Sequence, residues 1–80
     1  EKHEEVDFIV KNKDNSLTAI NVSYSDEIEE REMNALLKFK DKFKRIKEMI
    51  IITKDVEKVE GVKNKSIKFI PLWRWLLVNC

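Results

Sequence analysis

Hydrophobic and polar positions alternate in a way that divides the chain into eight segments. Glu5 to Val10 is apolar and rich in β-branched residues, the composition of a strand. Lys11 to Ser16 is polar and turn-forming, so it reads as a hairpin loop. Leu17 to Tyr24 is a second strand. It splits into two faces, with Ala19, Asn21 and Ser23 on one and Thr18, Ile20, Val22 and Tyr24 on the other. From Asp26 to about Lys47 the apolar positions Ile28, Ala35, Leu36, Phe39, Phe43 and Ile46 recur at steps of three and four, with Met33 and Leu37 beside them, which predicts a long amphipathic helix. Ser25 or Asp26 can cap it. Its acidic start (Asp26, Glu27, Glu29, Glu30, Glu32) and basic end suit the helix dipole.

Glu48 to Thr53 is a continuous apolar run, as in an internal strand covered on both faces. Strand, helix and strand in that order predict a right-handed crossover and a parallel pair. Lys54 to Lys65, with the single Gly61, reads as a polar connection, and Ser66 to Ile70 as the last strand. Pro71 is suited to open a short helix carrying Leu72, Trp73, Trp75, Leu76 and Leu77, amphipathic or fully buried. The expected fold class is therefore α/β: a small mixed β-sheet with one long crossover helix and a short C-terminal helix, in one domain spanning residues 1–80.

Composition narrows the function. Eighty residues allow one thin core. Sixteen basic and fifteen acidic residues leave a formal charge of +1, so no global field draws nucleic acid or an acidic partner. The 13 Lys and 10 Glu with no Gln match a bias seen at high temperature, where charge networks cost less to desolvate. One Cys excludes a disulfide framework or a zinc cluster within the chain, and one Gly excludes a phosphate-cradling loop or a dinucleotide fingerprint. There is no apolar window long enough to span a membrane and no secretory leader at the charged start, so a cytoplasmic setting is expected. With no initiating Met, the chain reads as a piece of something longer. His3 and Cys80 lie at opposite ends with no activating neighbours and read as bystanders.

Candidate chemistry gathers at the hairpin. Asp7 sits on its first strand, and Asn21 and Ser23 sit two apart on its second. An Asp followed by (Asp/Glu)-x-Lys is the layout of metal-dependent phosphodiester cleavage: two carboxylates hold Mg²⁺, and a Lys orients the attacking water. Glu5-Val6-Asp7-Phe8-Ile9-Val10 and Ala19-Ile20-Asn21-Val22-Ser23-Tyr24-Ser25 resemble the C-terminal domain of archaeal and bacterial P-loop ATPases of AAA type. That domain is restriction-endonuclease-like, of the PD-(D/E)xK superfamily, and typically reads EVDFVV, a loop, IEVKYS and a helix. Ile70-Pro71-Leu72-Trp73-Arg74-Trp75-Leu76-Leu77 is similar to the tail of those ATPases.

The resemblance implies a partial restriction-endonuclease-like fold, a C-terminal fragment of an ATPase, and ATP and Mg²⁺ bound only by an upstream domain. Asp7 matches the first metal carboxylate of that family, but Asn21 stands in place of Glu and Ser23 in place of Lys. The amide brings no charge and the hydroxyl cannot replace an ammonium. The expectation is a non-catalytic accessory module with no cofactor of its own. Its partners would be the upstream ATPase domain and, through an exposed sheet edge, a second copy. Two alternatives stand beside it. One is sequence-independent DNA binding through Lys38, Lys40, Lys42, Lys44, Arg45 and Lys47, although that run reads more plainly as a solvated helix end. The other is a residual nuclease holding metal with Glu5 and Asp7. Trp73 and Trp75 read as core of the terminal helix, with one available for a partner surface.

Overall fold

A computed structural model of the chain describes residues 6–23, 30–62 and 64–78, with the side chains of residues 30 and 31 left aside. Its elements run β1 (Phe8–Lys11), β2 (Leu17–Ser23), α1 (Glu30–Lys42), β3 (Ile46–Thr53), β4 (Lys58–Val62), β5 (Lys65–Pro71) and α2 (Leu72–Val78). The strands form one mixed sheet in the order β1-β2-β3-β5-β4. The two inner pairs, β2 with β3 and β3 with β5, are parallel; the two outer pairs are antiparallel. The mixed α/β class, the first hairpin and the parallel strand pair around the crossover helix agree with the pattern of the sequence. Among the described residues no helix is long and apolar enough to cross a membrane.

Side-chain alternation gives the sheet two apolar faces. On one, α1 lays Leu36 over Ala19, Met49, Ile51, Ile67 and Phe69, with Ile46 completing the cluster. On the other, α2 turns Leu72 and Trp75 toward Ile20, Ile50, Ile52 and Ile70. β3 lies between two strands and beneath two helices, so Met49 to Thr53 is buried without a break. This explains its unalternating apolar run.

The β1–β2 loop closes through main-chain bonds from Asn15 N to Asn12 O (3.0 Å) and from Asn12 N to Ser16 O (2.8 Å). Asn15 adopts a left-handed φ of 73°, which Asn tolerates better than most residues. The Asp14 carboxylate accepts from Ser16 Oγ at 2.6 Å and Ser16 N at 3.0 Å, and pairs with Lys47 Nζ at 3.0 Å. These bonds, the Ser16 hydroxyl foremost, hold the Asp14 carboxyl well below the usual carboxylate range.

Four sequence expectations are corrected. The first strand begins at Phe8 rather than Glu5, because Asp7 bends away to bond across the hairpin. The crossover helix ends at Lys42. Phe43 N still donates to Phe39 O at 2.9 Å, but Ile46 N then donates to Phe43 O at 3.2 Å, closing a tight turn. Ile46 is buried in β3, not on the helix stripe, and its helical spacing is a coincidence of the short turn. The supposed connection from Lys54 to Lys65 contains β4. Its solvent-facing Val59 and lone Gly61 hide the strand pattern. Pro71 ends β5, buried against the sheet, and the helix begins at Leu72. The expected helix start and its caps, Ser25 and Asp26, lie outside the described residues, as do Glu5, His3 and Cys80.

Candidate functional site

The hairpin register pairs Phe8 with Ile20 and Val10 with Thr18, so Asp7 comes opposite Asn21, as the sequence layout required. Asn21 and Ser23 share the α1 face of β2 with Ala19, and both are buried; Asn21 is 1% exposed. Asp7 is exposed at the mouth of the hairpin.

Asp7 and Asn21 bind each other's neighbourhood reciprocally. Val22 N donates to Asp7 Oδ2 at 2.9 Å, so a carboxylate oxygen stands where the main chain of β1 would have continued. Asp7 N donates to Asn21 Oδ1 at 2.9 Å. Asn21 Nδ2 donates in turn to the carbonyl of Glu32 in α1, at 3.3 Å. The Asn21 amide therefore commits its oxygen and an N–H inside the fold, fastening the start of β1 and the first turns of α1 to β2. A buried amide left unpaired would cost about 1–3 kcal/mol, so this pairing is a condition of placing Asn there.

A hard divalent cation wants six or more oxygens, several of them anionic. Here the amide oxygen is already an acceptor, one oxygen of Asp7 is committed to Val22, and Ser23 contributes no charge. Among the described residues no three His, Cys, Asp or Glu side chains gather closely enough to hold a metal ion.

The basic run is dispersed by the helix turn. Lys40 Nζ donates to the carbonyl of Ile46, Arg45 donates to that of Asn15 at 2.6 and 3.1 Å, and Lys47 pairs with Asp14. Lys40, Arg45 and Lys47 are thus bound to their own chain, and the side chains of Lys38, Lys42 and Lys44 lie at the exposed surface. Phe39 packs against the core, whereas Phe43 is half exposed beside it, with ring centroids 4.6 Å apart.

A second feature escaped the sequence pattern. α2 covers only the β3–β5 side of its sheet face. Beside it lies an open groove of about 430 Å³, floored by Ile20, Val22 and Ile52 and walled by Phe8 and Val10 of β1 and by Leu72, Trp75 and Leu76 of α2. Of the two tryptophans, Trp75 turns inward and Trp73 outward. The apolar run in β1 was the available signal, but a strand composition does not tell which side lacks a cover.

Fold and hairpin together define a small mixed α/β domain whose polar centre is a side-chain clip joining two strands and a helix. The chain belongs to a family described as a domain of unknown function (DUF4143), whose model matches residues 1–75. It is a domain found C-terminal to AAA-type ATPases. Comparison with curated proteins and with solved structures returned no match.

Proposed function

We propose that this domain is a non-catalytic interaction module of a P-loop ATPase of AAA type, built on a degenerate restriction-endonuclease-like scaffold. ATP and Mg²⁺ would be handled by the ATPase domain alone. The observation that carries this reading is Asn21: at the position where the resemblance calls for an anionic metal ligand stands a buried neutral amide whose hydrogen bonds are consumed by Asp7 and Glu32. Strand β1, strand β2 and the crossover helix follow one another in the order the resemblance implies. Family membership supports the ATPase connection.

Incubation with duplex DNA and Mg²⁺ or Mn²⁺ tests the reading. No cleavage is expected, and turnover that Asp7→Ala abolishes would overturn it. DNA binding without cleavage is the weaker reading, because Lys40, Arg45 and Lys47 are engaged within the fold. Gel shifts at two salt concentrations detect it, since phosphate contacts weaken steeply with salt.

A further inference from the structure

The two edges of the sheet are guarded differently. On β4, Lys58 and Glu60 pair with each other at 3.1 Å, and Lys58 also lies over the Phe69 ring, so that edge presents charges already satisfied in place. On β1, Phe8 is 57% exposed and Ile9 and Val10 42% each. No described strand pairs with its outer side. The loop bond from Asn12 N to Ser16 O fixes which main-chain groups point where. Bonded pairs alternate along an antiparallel ladder, so Val10 and Phe8 bond inward to Thr18 and Ile20, and Ile9 and Lys11 aim their N–H and C=O groups outward.

We propose that this edge pairs with the same edge of a second copy, β1 antiparallel to β1, about a two-fold axis normal to the sheet and midway between the two Ile9 residues. The sequence of the edge says why the occupant is a copy of this chain. Asp7-Phe8-Ile9-Val10-Lys11 runs from an anion through three apolar residues to a cation, so it is complementary to its own reverse. The two-fold sets Ile9 against Ile9, where the outward N–H and C=O groups of both are exchanged. It sets Phe8 against Val10 twice on the α2 side, and twice brings Lys11 at the end of one β1 to Asp7 just before the start of the other. Opposite charges directly across two strands attract, as do apolar pairs. Asp7 keeps its bond to Val22 N through one oxygen and offers the other to the lysine. An axis normal to the sheet leaves both α2 helices on the same side. The two apolar grooves then meet over Phe8 and Val10, and the pairing covers part of each. This dimer is independent of the ATPase reading, and its failure would leave that reading untouched.

Sedimentation of the 80-residue chain between about 10 and about 500 μM tests the pairing; contacts of this small size dissociate readily on dilution. The 9.6 kDa monomer is expected to give way to a dimer as concentration rises. Ile9→Pro removes an outward N–H and no ladder bond of the fold, so it should weaken the dimer about tenfold or more. Lys11→Glu, a change at an exposed side chain, sets like charges across the two-fold and should do the same. Lys44→Glu, an equal charge change at the exposed helix turn, should leave the dimer unchanged. If circular dichroism shows that Ile9→Pro fails to fold, Lys11→Glu decides alone. A monomer at every concentration, a dimer that Lys11→Glu does not weaken, or equal weakening by Lys44→Glu would each overturn the proposal.

Discussion

Replacing Asn21 tests whether its amide is a structural fastener. Asn21→Ala removes a well-formed bond of 2.9 Å to Asp7 N and a longer one of 3.3 Å to the Glu32 carbonyl, and leaves a void where the chain is 1% exposed. A neutral bond contributes about 0.5–1.5 kcal/mol net, and the longer bond belongs at the lower end. With the packing lost around the vacated amide, the total is about 2–3 kcal/mol. An 80-residue domain holds roughly 4–12 kcal/mol in all, so that is a large share. It should lower the melting temperature by about 10–20 °C.

Asn21→Asp keeps the shape but sets a carboxylate oxygen against the Glu32 carbonyl, close to the Asp7 carboxylate. Its folded-state pKa should rise above the unfolded value of about 3.9, which makes ionisation the destabilising event. The penalty is therefore small below about pH 4, where the acid is neutral in both states and can donate to Glu32. It grows as pH rises toward the folded value, by about 1.4 kcal/mol for each tenfold gain in proton affinity. Urea unfolding followed by Trp fluorescence at pH 4 and pH 7 measures both variants. Asn21→Asp should be less stable than Asn21→Ala at pH 7 and recover at pH 4. If Asn21→Ala costs under about 0.5 kcal/mol, or Asn21→Asp shows no pH dependence, the fastener argument is refuted.

Three further outcomes are expected. The Asp14 carboxyl, followed by NMR titration, should titrate below the ordinary range, and Ser16→Ala should raise it more than Lys47→Gln does, because the Ser16 hydroxyl is its main partner. A depressed carboxyl stabilises the fold above its unfolded pKa, so this contribution should be intact at neutral pH and be lost only in strong acid; Asp14→Asn should remove that acid dependence. Gly61→Thr should stabilise by about 0.5–1 kcal/mol in thermal melts, because a Cβ there meets only the Lys65 carbonyl at 3.8 Å and a β-branched residue suits a strand better than Gly. Leu36→Ala should cost about 2–5 kcal/mol by urea titration, since Leu36 is the fully buried residue that α1 lays on the sheet.

Much of this architecture was legible in the sequence. The unbroken run Met49 to Thr53 announced a strand buried on both faces, and the alternation of Leu17 to Ser23 separated the α1 face from the α2 face. What was illegible lies where local pattern and tertiary demand diverge. Ile46 keeps helical spacing with Phe43 yet belongs to β3, because the turn at Lys44 and Arg45 is only just long enough to reverse the chain. β4 was hidden because an edge strand that faces solvent needs few apolar residues. The candidate site was legible in position, since Asp7 does come opposite Asn21, but not in role. Only coordinates reveal that Val22 N and the Glu32 carbonyl are the partners that occupy the two side chains.

The central placement of β3 also governs how the chain can assemble. β1–β2 and β4–β5 are local hairpins, quick to form but marginal alone. Neither can be completed into a sheet until the strand between them docks along both, across the α1 crossover on one side. Until then Ile50, Ile51 and Ile52 stand uncovered on a strand with two unpaired edges, the segment type most prone to intermolecular stacking. A nascent or heat-shocked chain should therefore aggregate through this isoleucine row, and a chaperone that shields six or seven residues there would protect the whole domain.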